Sequence, residues 1–274
     1  MCVPGCQEVV ARRLSRRGLL KGLVGTTAGA AVFAAFPPPR AAHAADVSFT
    51  RAVDLTHALG EDFPTFFGKP QLRMERTAEF SKDGFNMYQW HLDEHTGTHL
   101  DAPLHFSADG VGADEIPMDQ LIVPLAVVDI REKAAADPDH QLSVEDLKAF
   151  EAAHGDVPAG GCVAMNSGWA QHVASERYRN ADADGAMHFP GFSKEACLYL
   201  MEKGVVGIAV DTLSLDHGAS KTFDTHYTWL PSGRWGLECL AGLDEVPATG
   251  ATLVVGAPKI KGATGGPSRV FALV

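Results

Sequence analysis

Residues 95–105 read His-Thr-Gly-Thr-His-Leu-Asp-Ala-Pro-Leu-His, and no single regular element accommodates that string. On a helix, His95 and His99 share a face but Asp101 falls nearly opposite His99. On a strand the three histidines and the aspartate share a face, yet His95 and His105 then stand roughly 33 Å apart. Only a curled segment brings them together, and Gly97 and Pro103 are the residues that let a chain curl. Imidazoles with a carboxylate form the ligand set of a borderline-to-hard divalent cation, Zn²⁺ or Mn²⁺, rather than of a thiolate-loving metal. A lone histidine is ordinarily a hydrogen-bonded core or surface residue. Three of them with an acid, glycine and proline on one loop point instead to a metal hydrolase site.

Around that segment the pattern is α/β, with a mixed sheet and flanking helices. Residues 47–55, 72–80 and 87–94 read as short strands, the last running into the histidine-rich stretch. Residues 121–130 form a continuous apolar run suited to a buried strand. Ser143 caps a helix over 144–153, with Asp146 facing back as in a capping box. Residues 162–166, a helix over 194–203 capped by Ser193, and residues 205–210 read as a strand–helix–strand crossover, which favours parallel pairing. Residues 252–255 and 270–274 close the set. Three polar loops follow strand ends, at 166–169, 211–224 and 262–268, where sites gather in α/β folds. Asp211 and Asp216 in the middle loop could add ligands, although acids near turns more often bond their own backbone.

The N-terminus reads as a removable leader. Ser15-Arg16-Arg17-Gly18-Leu19-Leu20-Lys21 has the form of a twin-arginine export signal, and Ala42-His43-Ala44 offers a small-residue cleavage site. The weakly apolar run over 22–36 is shorter than the ~20 residues that span a bilayer, which argues against a stable membrane anchor. We therefore expect a cleaved signal peptide over 1–44, a single domain over 45–274, the export machinery as a transient partner, and a periplasmic or secreted location. The 23 basic and 34 acidic residues of the whole chain become 17 and 33 after the cut, a net charge of −16. A surface that negative makes nucleic acid an unsuitable partner. Cys162, Cys197 and Cys239, scattered and odd in number, read as buried free thiols rather than a disulfide framework.

His95, Gly97, Thr98, His99, Asp101, Pro103 and His105 together form His-x-Gly-Thr-His-x-Asp-x-Pro-x-His. This motif resembles the signature of the cyclase-like metal hydrolases, a family that includes bacterial kynurenine formamidases and isatin hydrolases. Asp211-Thr212, His226, Glu238 within Gly236-Leu237-Glu238-Cys239-Leu240, and the closing Gly265-Gly266-Pro267-Ser268-Arg269-Val270 are similar to the family too. The resemblance spans roughly the whole chain after the leader. It implies a swivelling β/β/α-type fold, His95, His99 and Asp101 as metal ligands, His105 as unligated catalytic base and acid, and a homodimer or larger assembly. It also implies that His226 and Glu238 either hold a second ion or line the pocket. The cofactor expectation is thus one or two divalent cations.

The chemistry is consistent with that division. Three protein ligands leave a position for water, whose pKa a divalent ion brings from 15.7 towards about 7. An imidazole titrating near neutrality can carry the proton to a leaving nitrogen. The expected substrate is a small molecule carrying an aryl formamide or a cyclic amide. Where the formamidases have Trp-Pro-Gly-Asp, this chain has Phe66-Phe67-Gly68-Lys69, so Phe66 supplies an aromatic face without an indole N–H, and Lys69 reverses a charge. Trp169, Phe189 and Phe192 are further candidates for a ring-binding wall. Two other functions fit the same residues: a metal-dependent cyclase or dehydratase, and a non-catalytic periplasmic metal- or ligand-binding protein. The chain has neither a Gly-x-Ser-x-Gly elbow nor a His-Glu-x-x-His helix, so serine hydrolases and zincins find no support.

Overall fold

The apolar runs at 122–129, 162–166 and 207–210 pair in parallel at the centre of a large mixed sheet. The computed structural model describes residues 48–274, so the expected export signal lies outside the described residues. Within them the strands are β1 (Ala52–Asp54), β2 (Leu72–Ala78), β3 (Met87–Leu92), β4 (His99–Asp101), β5 (Ile122–Asp129), β6 (Gln141–Leu142) and β7 (Cys162–Asn166). They continue with β8 (Gly191–Phe192), β9 (Gly207–Val210), β10 (Trp235–Glu238), β11 (Ala251–Gly256), β12 (Gly265–Pro267) and β13 (Arg269–Leu273). The main sheet has the order β1-β13-β11-β5-β7-β9-β10-β4-β12. Its parallel centre, β5-β7-β9-β10, is flanked by antiparallel strands on both sides. Two small pairs, β2–β3 and β6–β8, stand outside it.

Side-chain alternation divides the core. Cys162 and Ala164 of β7 face one apolar cluster while Val163 and Met165 face another. The first cluster contains Val53 of β1 and Leu100 of β4, strands from opposite parts of the order, so the sheet curls around it. The second is covered by the helices Val144–His154 and Lys194–Glu202, which bury Leu147, Phe150, Cys197 and Leu200. Ser143 caps the first of these helices and Asp146 completes the capping box. Ser193 Oγ accepts the Ala196 N–H at the start of the second. All three cysteines of residues 48–274 are free and buried, as expected.

Two features correct the sequence reading. The strand expected over 72–80 ends at Ala78, because the Asp83 and Asn86 side chains take the N–H groups of Glu79 and Phe80 and turn the chain into a short helix, Phe80–Asp83. The helix Asp224–Trp229 and strand β10 were not anticipated, and both supply residues to the site.

Candidate metal centre

The curl expected at 95–105 is a bend, a three-residue strand and a 3₁₀ turn. Gly97 takes a left-handed φ of 63°. β4 follows, and Pro103 opens the turn Pro103–Phe106 that carries His105. Since Leu100 and its neighbour Leu237 on β10 point into the inner core, His99, Asp101 and Glu238 point to the opposite face. Register places Glu238 directly across from His99. On that face the helix Asp224–Trp229 delivers His226.

The donors converge tightly. His99 Nε2 lies 3.2 Å from Asp101 Oδ1 and 3.4 Å from Glu238 Oε2. His226 Nε2 lies 3.2 Å from Glu238 Oε1 and 3.6 Å from Asp101 Oδ2. His95 Nδ1 is 2.7 Å from Asp101 Oδ1. Asp101 is completely buried, and it joins two groupings of candidate ligand atoms, one with His99 and Glu238, the other with His95 and His105.

The outer nitrogens explain which atoms are offered. His99 Nδ1 donates to the Gly97 carbonyl at 2.8 Å. His226 Nδ1 donates to Asp216 at 2.6 Å, and the same carboxylate accepts the Thr225 and His226 backbone N–H groups. In both rings Nε2 is thereby the nitrogen that faces inward, the one a cation would find once its proton is lost. His99 Nε2 and Asp101 Oδ2 are buried with no hydrogen-bond partner among the described residues. Buried polar atoms are seldom left so. A divalent cation fits this set of inward-facing imidazole and carboxylate atoms.

Electrostatics follow from that crowding. Burial opposes charge on His99, but the Asp101 and Glu238 carboxylates outweigh it and push its pKa up to about 9. For His226 the same contest, with Asp101, Asp216 and Glu238 against burial, again ends well above the usual value. His105 goes the other way: burial and the neighbouring His95, His226 and His99 lower it to about 4, against the pull of Asp101. Its ring stacks on His95 at 3.7 Å between centroids, and neither of its nitrogens has a hydrogen-bond partner among the described residues.

His95, His99, His105, His226 and Glu238 line a cavity of about 690 Å³. Phe66, Phe67, Phe106 and Phe223 supply its apolar walls, with Phe66 and Phe223 6.1 Å apart and Phe106 4.5 Å from the His226 ring. Among the described residues three non-glycine positions have left-handed φ, and two of them, Phe223 at 52° and Cys239 at 56°, line this cavity. Trp169 does not reach the cavity. Its indole N–H donates to the Tyr178 carbonyl at 2.9 Å, and the ring is buried with Phe63, Phe189 and Leu213. Phe192 is likewise core. Lys69 is exposed and does not line the cavity. Asp211 is no ligand either: Ser167 and the Trp169 N–H hold its carboxylate, which ties the end of β9 to the loop after β7. Asp216, a candidate ligand on sequence, instead has its carboxylate engaged by His226 Nδ1 and the Thr225 and His226 N–H groups, while nothing in the local spacing of Glu94 and Thr264 marks them as site residues.

The family model described as "Putative cyclase" matches residues 53–217, more than half of the chain. The chain belongs to the cyclase family. Over 241 residues it is 36% identical to the isatin hydrolase of Roseibium aggregatum, an alignment covering 81% of this chain and 91% of that one. It is 26% identical to the kynurenine formamidase of Salinibacter ruber over 220 residues, 79% of this chain and 94% of that one. A crystal structure of an isatin hydrolase bound to the product analogue thioisatinate superposes with a TM-score of 0.76 at 35% identity, covering 81% of this chain and 92% of that chain. The cyclase-family member described here therefore has the expected α/β fold and is a metal-dependent hydrolase. The reading as a non-catalytic binding protein is set aside by these hydrolase relatives.

Proposed function

We propose that this hydrolase opens an amide carbon–nitrogen bond in a small aromatic molecule, either a cyclic amide such as isatin or an aryl formamide. One observation carries the division of labour. The outer nitrogens of His95, His99 and His226 are each committed to a fixed partner, whereas neither nitrogen of His105 has one among the described residues. His95, His99 and Asp101 would hold one cation, and His226 and Glu238 would extend the donor set to a second. Zn²⁺ and Mn²⁺ both suit imidazole and carboxylate donors. When bound, the cation supplies Lewis acidity, making water acidic enough to attack near neutral pH and polarising the carbonyl.

The chain's own groups do the rest. The phenylalanine walls hold the flat ring and exclude bulk water. His105, neutral and with neither nitrogen engaged among the described residues, takes a proton from the attacking water as the carbon–oxygen bond forms. It returns the proton to the nitrogen as the carbon–nitrogen bond breaks, giving a carboxylic acid and an amine.

Two further expectations accompany this reading. Export by the twin-arginine route to the periplasm or beyond is supported by the motif over 15–21 and the Ala42-His43-Ala44 site. Self-association is supported by the β2–β3 hairpin, whose β3 residues are all exposed, including Met87, Tyr88, Trp90 and Leu92. A two-stranded hairpin with apolar residues on both faces is poorly stabilised alone and suits a partner copy.

The test measures bound metal by mass spectrometry and turnover of isatin, N-formylkynurenine and simple aryl formamides with Zn²⁺ or Mn²⁺. His99→Ala loses metal and activity together. His105→Ala retains metal and loses about 10²–10⁴-fold in turnover. A fully active His105→Ala would remove the general-base assignment, and wild-type turnover without stoichiometric metal would remove the mechanism.

A further inference from the structure

We propose that Thr264 and Glu94 are positioning residues that set which nitrogen of His95 faces the cation, an inference that rests on the metal reading above. The polar loop before β12 finds its use here. Gly265 pairs with Asp101 across β4 and β12, and a Cβ at this position would lie 2.2 Å from the Leu100 carbonyl oxygen and 2.7 Å from His95 Cε1. Only glycine lets β12 close on His95 in this way. The approach puts Thr264 Oγ1 2.9 Å from His95 Nε2.

Glu94 then decides the direction of that bond. Its Oε2 accepts the Thr264 backbone N–H at 3.2 Å and makes a short contact with the Thr264 hydroxyl. An ionised carboxylate can only accept, so the single hydroxyl proton lies towards Glu94. The Thr264 oxygen is left to accept, and the proton it accepts is His95 Nε2–H. With a cation bound, Nδ1 would thereby be the bare nitrogen; without one, a proton on Nδ1 bridges the 2.7 Å to Asp101 Oδ1. His99 and His226 are oriented by a carbonyl and a carboxylate directly. His95 is oriented through a hydroxyl, and its relay ends on an exposed acid at the cavity wall. Outer partners of this kind fix the tautomer and raise ligand basicity.

The experiment compares full-chain wild type with Thr264→Val, Thr264→Ser and Glu94→Gln. Zn²⁺ affinity is read by chelator competition, and the His95 imidazole N–H by NMR of the Zn²⁺-loaded, ¹⁵N-histidine-labelled protein. Thr264→Val weakens Zn²⁺ about 10–100-fold, while Thr264→Ser stays within about threefold of wild type. The slowly exchanging N–H signal disappears in the valine variant and persists in the serine variant. Glu94→Gln, at an exposed position where folding is not at stake, weakens Zn²⁺ by a smaller factor. Wild-type affinity in Thr264→Val, equal weakening by valine and serine, or no effect of Glu94→Gln would each overturn the relay. If these occur while wild type binds Zn²⁺ stoichiometrically, the relay alone fails. If wild type binds no metal, the metal reading fails with it.

Discussion

His99 of β4 and Glu238 of β10 occupy one register position of the sheet, with Nε2 and Oε2 3.4 Å apart. Two groups 139 positions apart in sequence thus share a donor cluster through backbone pairing alone. In the metal-free protein this pairing helps hold a proton on His99, whose pKa is about 9. A cation needs that nitrogen bare, so binding at pH 7 releases the proton, and apparent affinity rises with pH up to about 9. Titration calorimetry in two buffers of different protonation heat should show at least about one proton released per cation. Glu238→Gln should bind the cation at least about tenfold more weakly and release less. Buffer-independent heats would contradict this.

Gly265 is predicted to tolerate nothing larger. Gly265→Ala forces β12 away from β4 and from the His95 ring, a steric cost of about 1–3 kcal/mol. Thermal unfolding should move down, and metal affinity should fall with it, because Thr264 retreats from His95.

Asp146 sets an acid limit on stability. Burial alone would raise its carboxyl pKa, but Lys133, Ser143 and His140 reverse that and hold it below the usual range. A depressed folded-state pKa means stability that is present above the unfolded value, about 3.9, and lost as pH falls through the folded one. Asp146→Asn should therefore cost about 1–3 kcal/mol near neutrality. The gap from wild type should close in denaturant titrations carried below pH 4.

The hairpin makes the assembly testable. Wild type should elute as a dimer or larger species at micromolar concentration, and Trp90→Ser with Met87→Ser should shift it towards monomer. Both residues are exposed at the hairpin, so the fold of the remaining sheet should keep its unfolding temperature. A wild type that sediments as a monomer would rule the hairpin out as an interface.

The parts legible in the sequence were those specified locally. Ser143 and Asp146 spell a helix start within four residues, and 162–166 announces a buried strand by continuous apolarity. The spacing of His95, His99, Asp101 and His105 announced a curled cluster, which the structure assembles around Asp101. What stayed hidden depends on tertiary approach. Asp216 was a candidate on sequence, but its pairing with His226 was not, because it needs the six-residue helix that carries His226. Thr264 reaches His95 only because β12 pairs with β4. Trp169 was misjudged as a wall since an aromatic residue after a glycine at a strand end looks the same whether it turns into a cavity or, as here, into the core.

The left-handed backbone at Phe223 and Cys239 carries a lesson for engineering. A non-glycine residue held in left-handed backbone costs of order 1–3 kcal/mol, which glycine at either site, or asparagine at 223, would recover in part. A library screened on heat resistance alone will therefore be drawn to the two positions that shape the cavity wall. Selecting such variants for thermal survival would, step by step, trade away the enclosure that holds the substrate, and a screen for this hydrolase has to read turnover alongside melting.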